Sequence, residues 1–315
     1  MPLRANHPLR MLCRYCGALA LLALAGWCLQ PLRQQVQHAE QAAQLQLPAP
    51  DYQQTDALSQ KLALFALGGL RTLAAEILCV DATNAWLQQD WPRARHRWEQ
   101  VTTLCPRRVN YWIRAARDMA KNAVAWVGSN DRLTPHEQAV QSKAYLDAAE
   151  RFLQEGLANN PKSALLWLQM AAFDEDLARR TNFARAVEDY RRALELGASP
   201  MYQRWVFYNL CRIRGREQEA WELGRKLYEE ENHRSPSLRC LLVVLQNKLD
   251  VPEAERLSLE QLFGSRERGI RKYLRPYLHN DLRFPTTGIR EIVEGHNGEA
   301  ISPNTGSQSP ESSGY

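Results

Sequence analysis

The hydrophobic positions of the chain recur at the spacing of α-helices, most clearly over residues 182–196 (NFARAVEDYRRALEL). There the apolar residues stand three or one apart, which is one face of a helix. The other face carries three pairs of opposite charge four positions apart: Arg185–Asp189, Glu188–Arg192 and Arg191–Glu195. We expect these pairs to face solvent, because side chains at that spacing are neighbours on a helix surface.

Small packing residues return along the chain at intervals close to the length of one helical hairpin. Ala220 lies 34 residues after Ala186, and Ala149 lies 37 residues before it. Ala94 begins the series, with Trp98 four positions later. At these positions, and at closing prolines such as Pro106 and Pro161, the sequence resembles the tetratricopeptide repeat (TPR) family, whose unit is 34 residues.

The resemblance covers roughly residues 74–230 and implies an all-α fold, an α-solenoid of TPR-like helical hairpins over residues 61–283. In that family the first helix of each hairpin forms the inner wall of a concave groove. Two features depart from the family. Ala94 and Ala149 are 55 residues apart, so the second repeat is long, and the first helices lack the expected glycine. An ordinary helical bundle is the alternative.

Capping signals divide the chain at spacings that agree with the repeats. Thr134, Pro135 and Glu137 form a predicted capping box with proline in the first turn. Ser199-Pro200 and Ser235-Pro236 repeat the signal, and Asp250 with Pro252 and Glu253 is a variant of it. The pattern over residues 109–127 predicts one unbroken helix, followed by a turn at 128–131.

The N-terminus combines basic and apolar segments. Residues 1–14 contain three arginines and no acid, and residues 15–29 are uncharged and apolar. This asymmetry predicts a cytoplasmic basic segment (1–14) and a hydrophobic helix (15–32) that is either a membrane anchor or a cleaved signal peptide. Both place the repeat domain on the extracytoplasmic, periplasmic side of the cytoplasmic (inner) membrane, as a single-pass protein in the anchored case. A cytoplasmic protein with an apolar N-terminus is the third possibility.

Three further segments complete the layout. Residues 33–60 predict a polar stalk or linker, with plain disorder as the alternative. Residues 62–80 are apolar, but Arg71 and Glu76 argue against a second membrane span, and we expect a cover on the first repeat. The Gly-Gly-Leu-Arg stretch here resembles one in an uncharacterised bacterial family of single-span repeat proteins. Residues 284–315 are rich in Gly, Ser, Pro, Asn and Thr and predict a disordered tail.

Composition and motifs give no sign of catalysis. The net charge of +5 over 315 residues indicates no nucleic-acid partner, and the basic run at 266–275 is either an anion-binding surface or a solvated helix face. The seven cysteines form no metal signature. Cys79 and Cys105 are expected at adjacent helix ends, as two thiols or a disulfide. Catalytic and cofactor fingerprints are absent from the sequence, so we expect no enzyme, no cofactor and no metal.

The sequence therefore predicts a membrane-anchored scaffold that binds a protein or peptide partner. Carrying over the family's groove positions gives Glu76, Thr83, Trp86, Ile113, Arg117, Ala120, Tyr202, Trp205, Asn209 and Arg212. Six of these are the candidate partner-binding residues: Trp86, Arg117, Tyr202, Trp205, Asn209 and Arg212. The alternatives are an assembly subunit of a cell-envelope complex, with the long hairpin at 109–158 as its contact surface, and an enzyme without a local motif.

Overall fold

The computed structural model describes residues 71–176, 181–279 and 284–301. The regular secondary structure of these residues is helical, and they include no β-strand, which confirms the all-α prediction. Within the described part, no helix combines the length and apolar character needed to span a membrane. The predicted basic segment, hydrophobic helix and stalk fall at residues 1–60, outside the described residues.

The chain divides into two compact units, Met1–Tyr111 and Trp112–Tyr315. The described part of the first unit holds α1 (Arg71–Leu87) and α2 (Trp91–Leu104). The two helices pack against each other through a buried row of alanines on α1 and through Ala94 and Trp98 on α2. They run antiparallel, since the Cys105 thiol at the end of α2 lies 4.0 Å from the Arg71 carbonyl oxygen at the start of α1.

A longer series of helices follows, and the division between the units falls within the first of them. The series is α3 (Val109–Arg117), a π-helical segment (Asp118–Ala123), α4 (Val124–Gly128), α5 (Pro135–Asn159), α6 (Ala164–Asp174), α7 (Phe183–Glu195), α8 (Gln203–Leu210), α9 (Glu217–Glu229) and α10 (Pro236–Lys248). Short 3-10 turns stand at Pro200–Tyr202, Glu231–His233 and Glu253–Glu255. The described part ends with α11 (Leu259–Phe263), α12 (Arg266–Arg268), a second π segment (Gly269–Leu274), α13 (Arg275–Tyr277) and α14 (Ile289–Ile301).

Within the second unit, from α5 to α10, each helix packs against the one before it. The predicted packing residues Ala149, Ala186 and Ala220 are all fully buried at these contacts. Glycine allows the closest approaches: a Cβ added at Gly156 would lie 2.9 Å from Cγ of Trp112. One at Gly224 would lie 2.5 Å from the Phe207 ring, so the helices could not keep this spacing with a larger residue.

The caps follow the sequence in three places. Thr134 and Glu137 form the full capping box at α5, and the Ser235 hydroxyl accepts a hydrogen bond from the Leu238 amide at α10. Ser199 caps a 3-10 turn, with its hydroxyl 3.4 Å from the Met201 amide. The expected cap at Asp250 is wrong: this residue has a positive φ of 48°, and the turn at Glu253–Glu255 receives no side-chain cap.

The helix expected over 109–127 is not regular. Residues Asp118–Ala123 form a π-helical segment, in which each turn holds more residues than an α-helical turn. The Asn122 side-chain amide donates to Asp118 Oδ1 at 3.0 Å inside this segment. The apolar periodicity continues through both helix types, which is why the sequence pattern did not distinguish them.

The charged face of α7 also differs from expectation. Asp189 is buried, with only 6 % of its surface exposed, and lies 4.0 Å from Arg185. The other two expected pairs are replaced by pairs three positions apart: Arg191–Glu188 at 3.4 Å and Arg192–Glu195 at 2.7 Å. Asp189 is buried because α6 packs against α7 and covers the turn that carries this residue.

The stretch from Phe284 onward was expected to be disordered, but residues 284–301 are ordered. Phe284, Ile289 and Val293 are buried, and α14 packs against the second π segment. These few apolar residues were hidden in a composition averaged over the whole tail; residues 302–315 lie outside the described part.

Cys79 and Cys105 are thiols and are not joined by a disulfide.

Candidate functional site

A cavity of ≈ 610 Å³ opens on the second unit. Most of its lining comes from three helical segments: α3 with the π segment after it, α6 and α8. The lining residues are Ile113, Ala116, Arg117, Ala120, Lys121, Leu153, Gln169, Ala172, Phe173, Glu175, Asp176, Trp205, Tyr208, Arg212, Ser237 and Phe284. Aromatic rings and charges of both signs therefore meet on one concave surface, which we call the groove.

The structure brings three of the six predicted binding residues to the groove. Arg117, Trp205 and Arg212 line it. Arg117 is exposed on α3, Trp205 is half-buried on α8, and Arg212 follows α8 directly. Ile113 and Ala120, which the family positions also indicated, line it too.

The other three predicted residues have different surroundings. Tyr202 stacks on Tyr190 with ring centroids 6.0 Å apart and does not line the groove. Asn209 is fully buried. Trp86 belongs to α1 in the first unit, where 38 % of its surface is exposed.

The two other family positions in the first unit make local contacts. The Glu76 carboxylate accepts a hydrogen bond from the Tyr111 hydroxyl at 2.6 Å. Thr83 donates to the Cys79 carbonyl oxygen one turn earlier, at 2.8 Å. Both contacts stabilise the first unit itself.

Asn209 holds one of the two acids that line the groove, Glu175. Its side-chain amide donates to Glu175 Oε2 at 2.6 Å, and the Tyr190 hydroxyl donates to Glu175 Oε1 at 3.0 Å. Burial raises the pKa of Glu175, although these two hydrogen bonds and the Arg212 charge oppose the rise. Glu175 is thus a fixed acceptor whose direction is set by α7 and α8 together.

Arg212 connects that acid to an aromatic cluster. Its guanidinium lies 4.0 Å from the ring centroid of Phe284 and 5.1 Å from that of Phe183. Burial lowers the pKa of Arg212, and the Glu175 carboxylate acts in the opposite direction. A cation held between rings and beside a carboxylate can bind a further aromatic or acidic group without a change of position.

A second, smaller cavity of ≈ 390 Å³ shares two of these residues. Arg212 and Phe284 line both cavities, and the smaller one is completed by Phe183, Cys211, Ile213, Arg214, Glu217, Lys248 and Pro285. Its cysteine is not activated, because burial raises the pKa of the Cys211 thiol and keeps it protonated.

A buried carboxyl pair lies at the contact between α6 and α7. The carboxyls of Asp174 and Asp189 interact with each other, and Arg185 Nε lies 3.0 Å from Asp174 Oδ2. Arg185 also pairs with Glu150 at 2.8 Å. One cation therefore faces three acids. Burial raises the pKa of both Asp174 and Asp189, and the mutual repulsion of the carboxylates raises that of Asp189 further.

Several important residues of the site were missed from the sequence. Glu175 and Asp176 belong to an acidic run, Asp174 to Asp176, that begins at the last residue of the strongly apolar helix α6. That abrupt change from apolar to acidic was the available signal. Phe284 gave a weaker one, as a single aromatic residue in a polar stretch.

The described residues contain no cluster of three or more His, Cys, Asp or Glu side chains that could hold a metal ion. The geometry thus supplies hydrogen-bond acceptors, cations and aromatic rings.

No protein-family model matches the sequence, and no curated protein matches it. The groove and its residues are therefore the basis on which a function can be inferred.

Proposed function

We propose that this protein is a scaffold whose groove binds a peptide segment of a partner protein. The observation that carries the proposal is the origin of the groove: three helical segments that alternate in the chain with other helices, namely α3 with the π segment after it, α6 and α8, line one concave surface. Its volume of ≈ 610 Å³ falls within the range of about 300–1,000 Å³ that is usual for ligand sites. Arginine and tryptophan, the residue types enriched in binding hot spots, both line it.

We also propose that the helices form a TPR-like α-solenoid. Support comes from the buried small residues Ala149, Ala186 and Ala220, which recur at helical-hairpin spacing, and from the contact of each helix with the next. In a solenoid of this type each pair buries a face on each neighbour, and the inner helices form an extended binding surface.

The scaffold would be held at the cytoplasmic membrane by residues 15–32, with the repeats on the extracytoplasmic side. Support comes from the arginines that precede the apolar run and from the absence of acids among residues 1–14. A binding role is preferred to catalysis because Glu175, a buried acid of the groove lining, already accepts two hydrogen bonds from the protein and is held in place by them.

The test is crosslinking in cells that express the full chain, followed by identification of the attached protein. Ala172 is an exposed groove residue on α6, so Ala172→Arg fills the groove without removing a core contact. Ala184 is exposed on α7 and does not line the groove, so Ala184→Arg is the matched control. We expect Ala172→Arg to lose the crosslinked partner and Ala184→Arg to keep it. An unchanged set of crosslinked proteins in Ala172→Arg would exclude the groove as the binding surface.

A further inference from the structure

Phe284 is held in the groove by contacts of a kind that bind a peptide side chain. Only 7 % of its surface is exposed. Its ring lies 4.0 Å from the Arg212 guanidinium and, tilted by 57°, 5.7 Å from the Tyr208 ring centroid. Tilted aromatic pairs and cation–π contacts are both favourable and both depend on the aromatic ring.

The residues that carry this ring belong to no helix. Phe284, Pro285 and Thr286 have no regular secondary structure, whereas Tyr208 and Arg212 stand on or directly after α8. The Tyr277 hydroxyl donates to the Pro285 carbonyl oxygen at 3.2 Å. A non-helical segment thus contacts helical elements through an aromatic ring and a main-chain hydrogen bond, two kinds of contact that extended peptides also make.

Phe284 also lines both cavities of the second unit, as does Arg212. The ring therefore fills space at the boundary of each, and its removal would enlarge both. We propose that Phe284 occupies an aromatic subsite of the groove, and that the partner is an extended peptide that places an aromatic residue there. The partner's aromatic residue takes the place of the chain's own. This rests on the proposed function of the groove.

The chain's own segment has a large advantage over a free peptide. Groups joined by short linkers meet at an effective concentration of about 1 mM or more, so a peptide at micromolar concentration is excluded while Phe284 is in place. Occupancy by the partner is therefore controlled by the residue that the chain itself supplies. Removing the Phe284 ring, with the rest of the segment intact, should open the subsite.

The probe is a fluorescently labelled tetrapeptide, acetyl-Phe-Pro-Thr-Thr-amide, which copies residues 284–287. Binding to the full-length chain is measured by fluorescence anisotropy. We expect Phe284→Ala to bind it at least 10-fold more tightly than the wild type does. A probe with alanine in place of phenylalanine should lose that gain. Ile289→Ala is the matched control, since Ile289 is fully buried in the same C-terminal region but lines neither cavity.

Equal binding of the probe to wild type and Phe284→Ala would overturn the proposal, as would an equal gain in Ile289→Ala. If Phe284→Ala does not fold by circular dichroism, Phe284→Leu replaces it under the same criterion, because leucine retains apolar volume without a ring. The anisotropy measurement and the crosslinking test can fail independently of each other. Loss of the partner in Ala172→Arg without probe binding leaves the groove as the binding surface and removes only the aromatic subsite.

Discussion

Two helix pairs, one in each unit, place an aspartate opposite arginine, with opposite electrostatic results. In the first unit, Asp81 on α1 receives Arg93 and Arg97 from α2, each at 2.5 Å. In the second unit, Asp174 and Asp189 share the single guanidinium of Arg185. The first site has two cations for one acid, and the second has an excess of acids.

The balance of cations and acids at each site, together with its burial, determines the direction of the pKa shifts. The Asp81 side chain is partly exposed; although desolvation raises its pKa, hydrogen bonds from Arg97 and Arg93 lower it more. For Asp189, burial and the neighbouring Asp174 carboxylate raise the pKa to about 7. The comparison shows that an acid–arginine pair across two helices predicts neither the sign of a pKa shift nor its effect on stability.

The apolar faces of the two units differ in a similar way. Leu73, Ile77, Val80 and Leu87 on α1 are all more than half exposed. On α10, Leu241 to Leu245 are all fully buried, because α9 and the second π segment both pack against that helix. Among the described residues, α10 is covered by two packing neighbours and α1 mainly by α2, although the two helices are alike in apolar content. The number of these neighbours therefore decides which of the described residues form a core.

The largest effect should come from truncating α10. Leu241→Ala leaves a cavity in a fully buried site and should lower the free energy of unfolding by about 2–5 kcal/mol. The matched variant Ile77→Ala, on the exposed face of α1, should change it by less than about 0.5 kcal/mol. Urea denaturation followed by circular dichroism measures both. Equal losses in the two variants would contradict the difference in coverage.

The next largest effect concerns pH. The folded pKa values of Asp174 and Asp189, about 6 and about 7, lie above the ordinary value of 3.8, so the folded state binds protons that the unfolded state has released. The resulting stability is complete below pH 3.8 and is lost as pH rises to about 7.

Asp189→Asn should remove most of this slope between pH 4 and 7, and denaturation at several pH values would show it. Stability that is flat over this range in the wild type, or a slope that the variant retains, would contradict a buried carboxyl pair.

A third change tests how closely the helices of the second unit approach. At Gly224 an added methyl group would meet the fully buried Phe207 ring, so Gly224→Ala should destabilise the fold by about 1–3 kcal/mol. Gly128 has no atom near the position of an added Cβ and serves as the control. Thermal denaturation of both variants measures the difference in their stability. A Gly224→Ala protein as stable as Gly128→Ala would mean that the ring moves aside without cost.

The smallest effect is expected in the first unit. The lowered pKa of Asp81 means that its contribution to stability is present above the ordinary value of 3.8 and is lost as pH falls through the lower, folded value. Asp81→Asn should therefore flatten the acid side of the stability profile and leave the range from pH 4 to 7 unchanged. A change of slope above pH 5 would show that the two aspartate sites are coupled.

The sequence predicted the helices well because their apolar spacing and caps are local signals. The helix at 183–195, the box at Thr134 and the small residue at Ala186 all stand where the pattern indicated. Burial of Asp189 could not be read in this way, because it depends on α6, a separate segment. Asn209 was predicted from its repeat position, but whether such a residue faces a partner or holds Glu175 depends on side chains from three helices.

The π-helical segment Asp118–Ala123 affects the groove wall because it changes the direction in which later side chains point. One residue of an α-helix corresponds to a rotation of about 100°, so a turn with an added residue changes the direction of everything beyond it. Ala120 and Lys121, inside this segment, line the groove, and Val127, after it, is fully buried. Deleting a single amino acid here would restore an ordinary helix and turn either the wall or the interior away from its present neighbours. One additional residue in this segment thus determines which side chains face the groove before it and which face the interior after it.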